Sequence, residues 1–187
     1  GKGVSSDDVG QLDAAYAMVN HIFEEHMEEL GGSLEAIACN KAFIIKSQMH
    51  RIVSSDQSGV VMKTLEEAAH KANVVCSFGI PLNPSIIEVT SKLPGYQQEN
   101  AALACVMAQA MLGTLQYEFM DLSRITLEGR LEWKRCQNTN YLFDATIHRS
   151  GFKYVKAAIE QVNPAQSLAI ISIPTTKDAL EVYREAV

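Results

Sequence analysis

The chain has 187 residues, 47% of them hydrophobic and 20% charged, which is the composition of a globular protein and excludes a largely disordered one. The formal net charge of −6, without a stripe of basic residues, disfavours a nucleic-acid-binding function. The most apolar segment, residues 101–115, is too short to cross a bilayer, which disfavours a membrane protein.

The four cysteines are widely spaced, at positions 39, 76, 105 and 136, and no CxxC pair occurs. That spacing disfavours a zinc ribbon and a thioredoxin-like redox site. Scattered cysteines in a domain of this size are typical of reduced, mostly buried thiols. Because the sequence also begins with polar and acidic residues instead of a signal peptide, we expect a cytoplasmic protein.

The first 35 residues carry eight acidic residues and one basic residue, whereas the rest of the chain is close to neutral. Apolar side chains recur at helical spacing from Leu12 to Leu30, before the pair Gly31-Gly32. This pattern predicts one acidic helix over residues 5–30, with His21 and several glutamates on its outer face. Such a set can bind a metal ion, but a solvated helix face is the favoured explanation, and no metal site is predicted.

The middle of the chain is predicted to be mainly helical. Residues 33–55 fit either a helix capped by a serine or two short strands, because periodicity does not distinguish short apolar runs. Residues 56–73 have one apolar helical stripe, and residues 74–78 read as a buried strand. Asn83-Pro84 is a helix start, and an alanine-rich helix follows over residues 97–122, apolar nearly all round. Its small side chains favour close packing inside the domain or against a second copy.

The C-terminal third has a different pattern. Residues 126–135 and 141–148 alternate between apolar and polar side chains, which predicts two half-buried strands joined by a turn. A helix over residues 152–162, a continuously apolar strand over 168–173 and a last helix capped by Thr175 or Thr176 complete the pattern. A strand, a crossover helix and a second strand favour parallel pairing.

These elements predict an α+β fold. A helix-rich N-terminal two-thirds packs on a mixed sheet, followed by a C-terminal β-hairpin-α-β-α unit. The sequence has no internal repeat and no linker, so we expect a single globular domain over residues 1–187.

The register of the hairpin can be predicted if both apolar sets face one core. A loop with an odd number of residues is then required, because a shift of one residue turns every side chain to the other face. A three-residue loop at 137–139 places Trp133 opposite Phe143, and on the polar face it places Glu132 opposite Asp144.

The polar face of this hairpin is the one candidate site that the sequence offers. Two carboxylates opposite each other need a cationic partner, such as a metal ion or a cationic ligand, and an acid–base pair of Glu128 with His148 is predicted beside them. Neutralisation by neighbouring basic side chains on an ordinary solvated face is the competing interpretation. The candidate ligand-binding residues are Glu128, Arg130, Glu132, Asp144 and His148.

No sequence motif indicates a particular reaction or cofactor. The G-x-S-x-G, P-loop and G-x-G-x-x-G patterns do not occur. We therefore expect a non-catalytic regulatory, binding or assembly subunit that acts through protein–protein contacts, as a homo-oligomer or with a protein partner. The alternative is an enzyme or binding domain for small molecules, possibly metal-dependent, that uses the polar hairpin face.

Overall fold

A computed structural model describes most of the chain. The described residues are 8–24, 27–79, 83–114, 121–174 and 179–186. The chain divides into two compact units, one formed by Gly1–Ile87 with Glu99–Glu118 and the other by Glu88–Gln98 with Phe119–Val187. We call them the parallel-sheet unit and the hairpin unit. The single domain over the whole chain stays a prediction.

The parallel-sheet unit is built on three parallel strands, β1 (Tyr16–Val19), β2 (Arg51–Ser54) and β3 (Val75–Phe78), in the order β1-β2-β3. Helices α1 (Met27–Leu30) and α2 (Leu34–Ala42) connect β1 to β2, and α3 (Gly59–Ala72) connects β2 to β3. Two further helices follow in the sequence, α4 (Pro84–Thr90) and α5 (Tyr96–Leu112).

The central strand β2 explains why this sheet forms. Ile52 and Val53 are both buried, although they point to opposite faces of the sheet. Ile52 belongs to a core cluster with Leu65 of α3, whereas Val53 packs with Leu103 and Met107 of α5. A strand that is covered on both faces is characteristic of parallel sheets, whose crossover helices shield them from water.

The predicted acidic helix over residues 5–30 is wrong. Residues 16–19 form β1, and the helix that follows is the short α1. The apolar spacing fits a helix, but Tyr16 and its neighbours gain a full ladder of bonds to β2, and burial in the sheet overrides local propensity. His21 and Glu24 therefore lie in a connecting segment, not on a helix face.

The ambiguous segment 33–55 contains both alternatives, α2 and then β2. The Ser33 side chain caps α2 by accepting a hydrogen bond from the Ala36 amide at 3.1 Å. The helix start at Asn83-Pro84 is confirmed, and the Asn83 side chain accepts from the amide of Ser85 at 3.0 Å. Helix α3 and strand β3 also lie where the sequence predicts them.

Two predictions need correction, one about the burial of β3 and one about the length of α5. Strand β3 is less buried than predicted, and Val75 is 52% exposed because β3 is an edge strand of the sheet. Helix α5 ends at Leu112, earlier than predicted, and Leu112 itself is exposed. No helix in the described parts of the chain is long and apolar enough to cross a membrane.

The hairpin unit contains two antiparallel strands, β4 (Glu132–Cys136) and β5 (Thr139–Phe143), then α6 (Arg149–Val162) and α7 (Ala179–Ala186). Short 3-10 helices lie at Asp8–Gln11 in the first unit and at Leu122–Arg124 in this one. The predicted helix over 152–162 is confirmed by α6. The predicted caps Thr175 and Thr176 lie outside the described residues.

The predicted strand over residues 168–173 is wrong. That segment is not part of any strand, and Leu168 and Ile170 are 90% and 92% exposed. An apolar run becomes a strand only when it has a hydrogen-bonding partner, and the described residues supply none. The mixture of helix and sheet is as predicted for an α+β protein, but the described strands form two separate sheets instead of one mixed sheet.

The predicted hairpin register is also wrong. The loop has two residues, Gln137 and Asn138, so that Trp133 pairs with Leu142 and Glu132 pairs with Phe143. Gln137 has a φ of +53°, the left-handed conformation that tight hairpin turns require at their first loop position.

The reason for the error is the assumption of one shared buried face. Trp133 and Phe143 are 42% and 47% exposed and lie on opposite faces of the hairpin, so burial does not force them together. The regular alternation before β4 is interrupted as well, because Leu131 has a φ of +49° and ends the extended conformation. The strand therefore begins at Glu132, six residues later than predicted.

Candidate functional site

The carboxyl ends of the three parallel strands lie together at one end of the sheet, which we call the sheet edge. Open sheets of this kind bind ligands at that end. Val19, Ser54 and Phe78 end the strands in register. Two backbone bonds continue the ladder beyond them, from the Ser55 amide to the Val19 carbonyl and from the Gly79 amide to the Ser54 carbonyl, both at 3.0 Å. The segments that leave the three strands are thereby held side by side.

A glutamine side chain joins the first two of these segments. Gln57 Oε1 accepts a hydrogen bond from the Ile22 amide at 2.9 Å. Its Nε2 donates to the Asn20 carbonyl at 2.9 Å and to Ser54 Oγ at 3.0 Å, with Ser55 Oγ at 3.3 Å. The orientation of the carboxamide is determined by these partners, because a backbone amide only donates and a backbone carbonyl only accepts.

His21 is held against the same two segments. Its Nδ1 lies 2.9 Å from the backbone carbonyl of Asp56. Because a carbonyl only accepts hydrogen bonds, Nδ1 carries the proton, and in the neutral ring Nε2 keeps its lone pair. The side chain is exposed, so Nε2 can accept a hydrogen bond from a ligand or coordinate a metal ion.

A glycine at the end of β3 makes room for the carboxylate of Asp56. Gly79 has a φ of +74°, which favours glycine, and a Cβ at this position would lie 2.8 Å from Asp56 Oδ1. The exposed Asp56 carboxylate therefore lies directly against the backbone of Gly79. The edge of the sheet thus presents an imidazole after β1 and a carboxylate after β2.

The residues of this site are not among those predicted to bind a ligand from the sequence. The polar run Ser54-Ser55-Asp56-Gln57 follows a short apolar run, as is typical of residues at a strand end. The signal was hidden because β1 was interpreted as a helix, which placed His21 on a solvated face. If Tyr16–Val19 is interpreted as a strand parallel to β2, the residues that follow the two strands are predicted to lie side by side at the carboxyl end of the sheet.

In the hairpin unit, the predicted site residue Asp144 is the acceptor for three donors. Its Oδ2 accepts from the Leu131 amide at 2.7 Å and from the Tyr96 hydroxyl at 3.2 Å, and its Oδ1 accepts from the Thr146 amide at 2.8 Å. Burial, and then the neighbouring Asp144 charge, raise the pKa of Tyr96 to about 12. Asp144 therefore stabilises the backbone conformation around it.

Glu132 has a similar structural role. Its carboxylate accepts from the Gly129 amide at 3.0 Å and pairs with Lys134 Nζ at 3.1 Å. The hydrogen bond from Gly129, followed by the contact with Lys134, lowers the pKa of Glu132. Glu132 and Asp144 are not opposite each other as predicted, and both instead bind backbone amides of the turn that precedes β4.

The other three predicted residues do not form the expected face. Glu128 and Arg130 are exposed and precede β4, and His148 is half-buried and follows β5, so the predicted pair of Glu128 with His148 does not lie across the two strands. Within the part of the chain that the structure describes, no three His, Cys, Asp or Glu side chains are grouped to hold a metal ion. The binding of a ligand by these residues stays a prediction, without the register that motivated it.

The cysteines are only partly as predicted. All four are free, but Cys39 and Cys136 are exposed. Cys105 is buried, and burial raises the pKa of its thiol. Burial and, to a smaller extent, the nearby Glu66 raise the pKa of the Cys76 thiol to about 11. Neither of these two thiols has the depressed pKa of a reactive cysteine.

Neither protein-family models nor curated proteins match this chain. Solved structures do match it. They include a mutant of FPGS (folylpolyglutamate synthase) from L. casei, at 18% identity and a TM-score of 0.72 over 96% of this chain and 50% of that one. The Mycobacterium tuberculosis folylpolyglutamate synthase complexed with ADP and AMPPCP matches at 19% identity and a TM-score of 0.71, over 95% of this chain and 46% of that one.

An FPGS–AMPPCP–folate complex matches at 17% identity and a TM-score of 0.68, over 89% of this chain and 46% of that one. The chain therefore spans about half the length of the solved structures that it resembles. At these identities the likeness shows a shared fold.

The sequence-based prediction of a non-catalytic regulatory or assembly subunit is contradicted by these structures. The three structures described above are of folylpolyglutamate synthases, and two of them contain a bound nucleotide or nucleotide analogue. They favour the alternative prediction, an enzyme or ligand-binding domain for small molecules. The site suggested by the sheet edge differs from the hairpin face that this alternative named.

Proposed function

We propose that this chain is part of an enzyme of the folylpolyglutamate synthase type, which uses ATP to join glutamate to a folate. The observation that carries the proposal is the TM-score of 0.72 over 96% of the chain. Neighbouring structures are complexed with ADP, with AMPPCP and with folate, which supports a nucleotide and a folate as the ligands.

The sheet edge has groups suited to this chemistry. Formation of an amide between a folyl carboxylate and the amino group of glutamate requires ATP to activate the carboxylate, with release of ADP and phosphate. The attacking nitrogen must also lose a proton. Groups of the type found here, an imidazole and a carboxylate on adjacent segments, can orient and deprotonate an ammonium group. His21 and Asp56 are accordingly the residues that we assign to ligand contact.

We also infer that the protein acts in the cytoplasm, for which the four free cysteines give support. Homo-oligomerisation, or a protein partner, stays a prediction. The absence of nucleic-acid and membrane partners likewise stays a prediction.

The test is calorimetric titration of the chain with AMPPCP and, separately, with folate. We expect saturable binding of both ligands, and we expect Asp56→Asn to weaken at least one of them by about tenfold, the equivalent of ~1.4 kcal/mol. Asp13→Asn is the matched control, because Asp13 precedes β1 at the opposite edge of the same sheet, where it contacts Gln48 and Lys46. A folded chain that binds neither ligand would contradict the proposal.

A further inference from the structure

Three side-chain hydrogen bonds connect the segments that follow β1 and β2, beyond the last backbone bonds of the ladder. Two are made by Gln57 to the residues on either side of His21, and the third by His21 to the carbonyl of Asp56. The partners are 35 to 37 residues apart in the sequence, so these bonds join separate segments of the chain.

The Gln57 side chain binds the two residues that flank His21 in the sequence. Its carboxamide binds the carbonyl of Asn20 with one end and the amide of Ile22 with the other, both at 2.9 Å. These are the residues immediately before and after His21. The backbone of His21 is thus held at both sides by one side chain, while Ser54, which is fully buried, anchors that side chain to β2.

We propose that Gln57 is a positioning residue for His21. By holding Asn20 and Ile22, it keeps the imidazole against the carbonyl of Asp56 and thereby fixes the proton on Nδ1. Nε2 is left as a hydrogen-bond acceptor at the edge of the sheet, for a donor group such as an ammonium or hydroxyl group of the ligand. The inference concerns the chain without ligands, so it goes beyond the proposed function and does not depend on folate or ATP.

A purely structural role for Gln57 is the competing explanation, because the next residue, Ser58, is the N-cap of α3. That role predicts a loss of stability on substitution and nothing more. A positioning role predicts, in addition, a change in the tautomer of a residue 36 positions away in the sequence. The two roles are therefore separated by a spectroscopic measurement on His21.

The experiment is ¹⁵N NMR of the histidine side chains at an alkaline pH at which their signals no longer change with pH, with His21→Gln used to assign the His21 signals. We expect the Nδ1–H tautomer for His21 in the unaltered chain. Gln57→Met keeps the length of the side chain but removes all of its hydrogen bonds, including those to Asn20 and Ile22. We expect it to shift the tautomer ratio toward Nε2–H by about fivefold, the effect of one net hydrogen bond.

Gln57→Glu keeps the acceptor for Ile22 but loses the donor to Asn20, and we expect a smaller shift in the same direction. Gln48→Met is the matched control, because Gln48 also makes a side-chain bond across 35 residues, to Asp13 at the other edge of the sheet. It should leave the His21 signals unchanged.

An Nε2–H tautomer in the unaltered chain would overturn the inference, even if a variant failed to fold. The same conclusion would follow from an unchanged Nδ1–H tautomer in a folded Gln57→Met variant. Because no ligand is added, these outcomes are independent of whether the chain binds AMPPCP or folate.

Discussion

The two units hold their polar groups in place by different means. In the parallel-sheet unit, the residues of the candidate site follow β1 and β2, and Ile52, Val53 and Ser54 of the central strand β2 are buried. In the hairpin unit, β4 and β5 are largely exposed, and the turn before them is held by the carboxylates of Glu132 and Asp144. Burial thus fixes the first unit, and local hydrogen bonds fix much of the second.

This difference bears on where a functional site can be built. Binding groups are most precise when they are carried by elements whose conformation is independent of the ligand. His21 and Asp56 follow strands that are fixed by the core, and all their contacts described above are with backbone. Glu132 and Asp144 are already occupied by the amides that they cap, which leaves fewer lone pairs for a ligand.

The largest expected effect is in the core of the parallel-sheet unit. Ile52→Ala removes a fully buried side chain from the central strand and should lower the free energy of unfolding by about 2–5 kcal/mol, through lost burial and a residual cavity. Urea denaturation measures it. Val75→Ala, at an exposed position of the neighbouring strand, is the control and should cost less than about 1 kcal/mol. Equal effects of the two variants would contradict a buried β2.

The next effect is on the capped turn of the hairpin unit. Asp144→Ala leaves the amides of Leu131 and Thr146 without their acceptor and should destabilise the unit by about 1–3 kcal/mol. Faster hydrogen exchange of those two amides is the measurement. Arg124→Ala, which breaks a surface ion pair with Asp121, should cost less than about 1 kcal/mol. Unchanged exchange at Leu131 in the Asp144 variant would show that the turn does not need this carboxylate.

The contrast between local and long-range interactions also explains which elements could be predicted from the sequence. Helices α3, α4 and α6 were predictable because their apolar stripes and caps, such as Asn83, are local signals. Strand β1 was not, since the apolar residues of 16–30 fit a helical period and only the pairing with β2 makes four of them a strand. The apolar segment 168–173 failed for the opposite reason, because a β pattern without a partner strand remains exposed.

The candidate site at the sheet edge was not predicted from the sequence. Glu132 and Asp144 were predicted instead as ligand-binding residues opposite each other, but a one-residue error in register replaced their backbone partners by each other. His21 and Gln57 are 36 residues apart, and nothing in their local sequence indicates that they meet. Long-range contacts of this kind depend on the order of strands in the sheet, which periodicity does not determine.

The third expected effect concerns pH and the hairpin unit. Because the pKa of Tyr96 is raised to about 12, above its unfolded value of about 10, the protonated hydroxyl stabilises the folded state. This contribution is complete below about pH 10 and is lost as the pH rises through about 12. The difference in ultraviolet absorbance between the unaltered chain and Tyr96→Phe measures the titration.

Asp144→Asn sharpens that measurement. The Asn side chain removes the negative charge but leaves the burial of Tyr96, which is the larger cause of the raised pKa. We therefore expect the pKa of Tyr96 to fall and to remain above about 10. A pKa near 10 in the unaltered chain would show that Tyr96 is neither buried nor paired with Asp144.

The smallest expected effect tests the hairpin loop itself, and its sign is opposite to the others. Gln137 has a φ of +53° as the first residue of a two-residue loop, a conformation that costs a side chain with a Cβ about 1 kcal/mol. Gln137→Gly should therefore stabilise the hairpin unit by about 0.5–1 kcal/mol, measured by slower hydrogen exchange in β4 and β5.

The comparison is with Asn73 in the parallel-sheet unit, which has a φ of +56° at the C-terminal cap of α3. Asn tolerates this conformation better than Gln because its short polar side chain bonds locally, so Asn73→Gly should gain less. A three-residue loop at 137–139 places no such demand on position 137. Destabilisation by Gln137→Gly would then argue for that longer loop, and with it for Glu132 opposite Asp144.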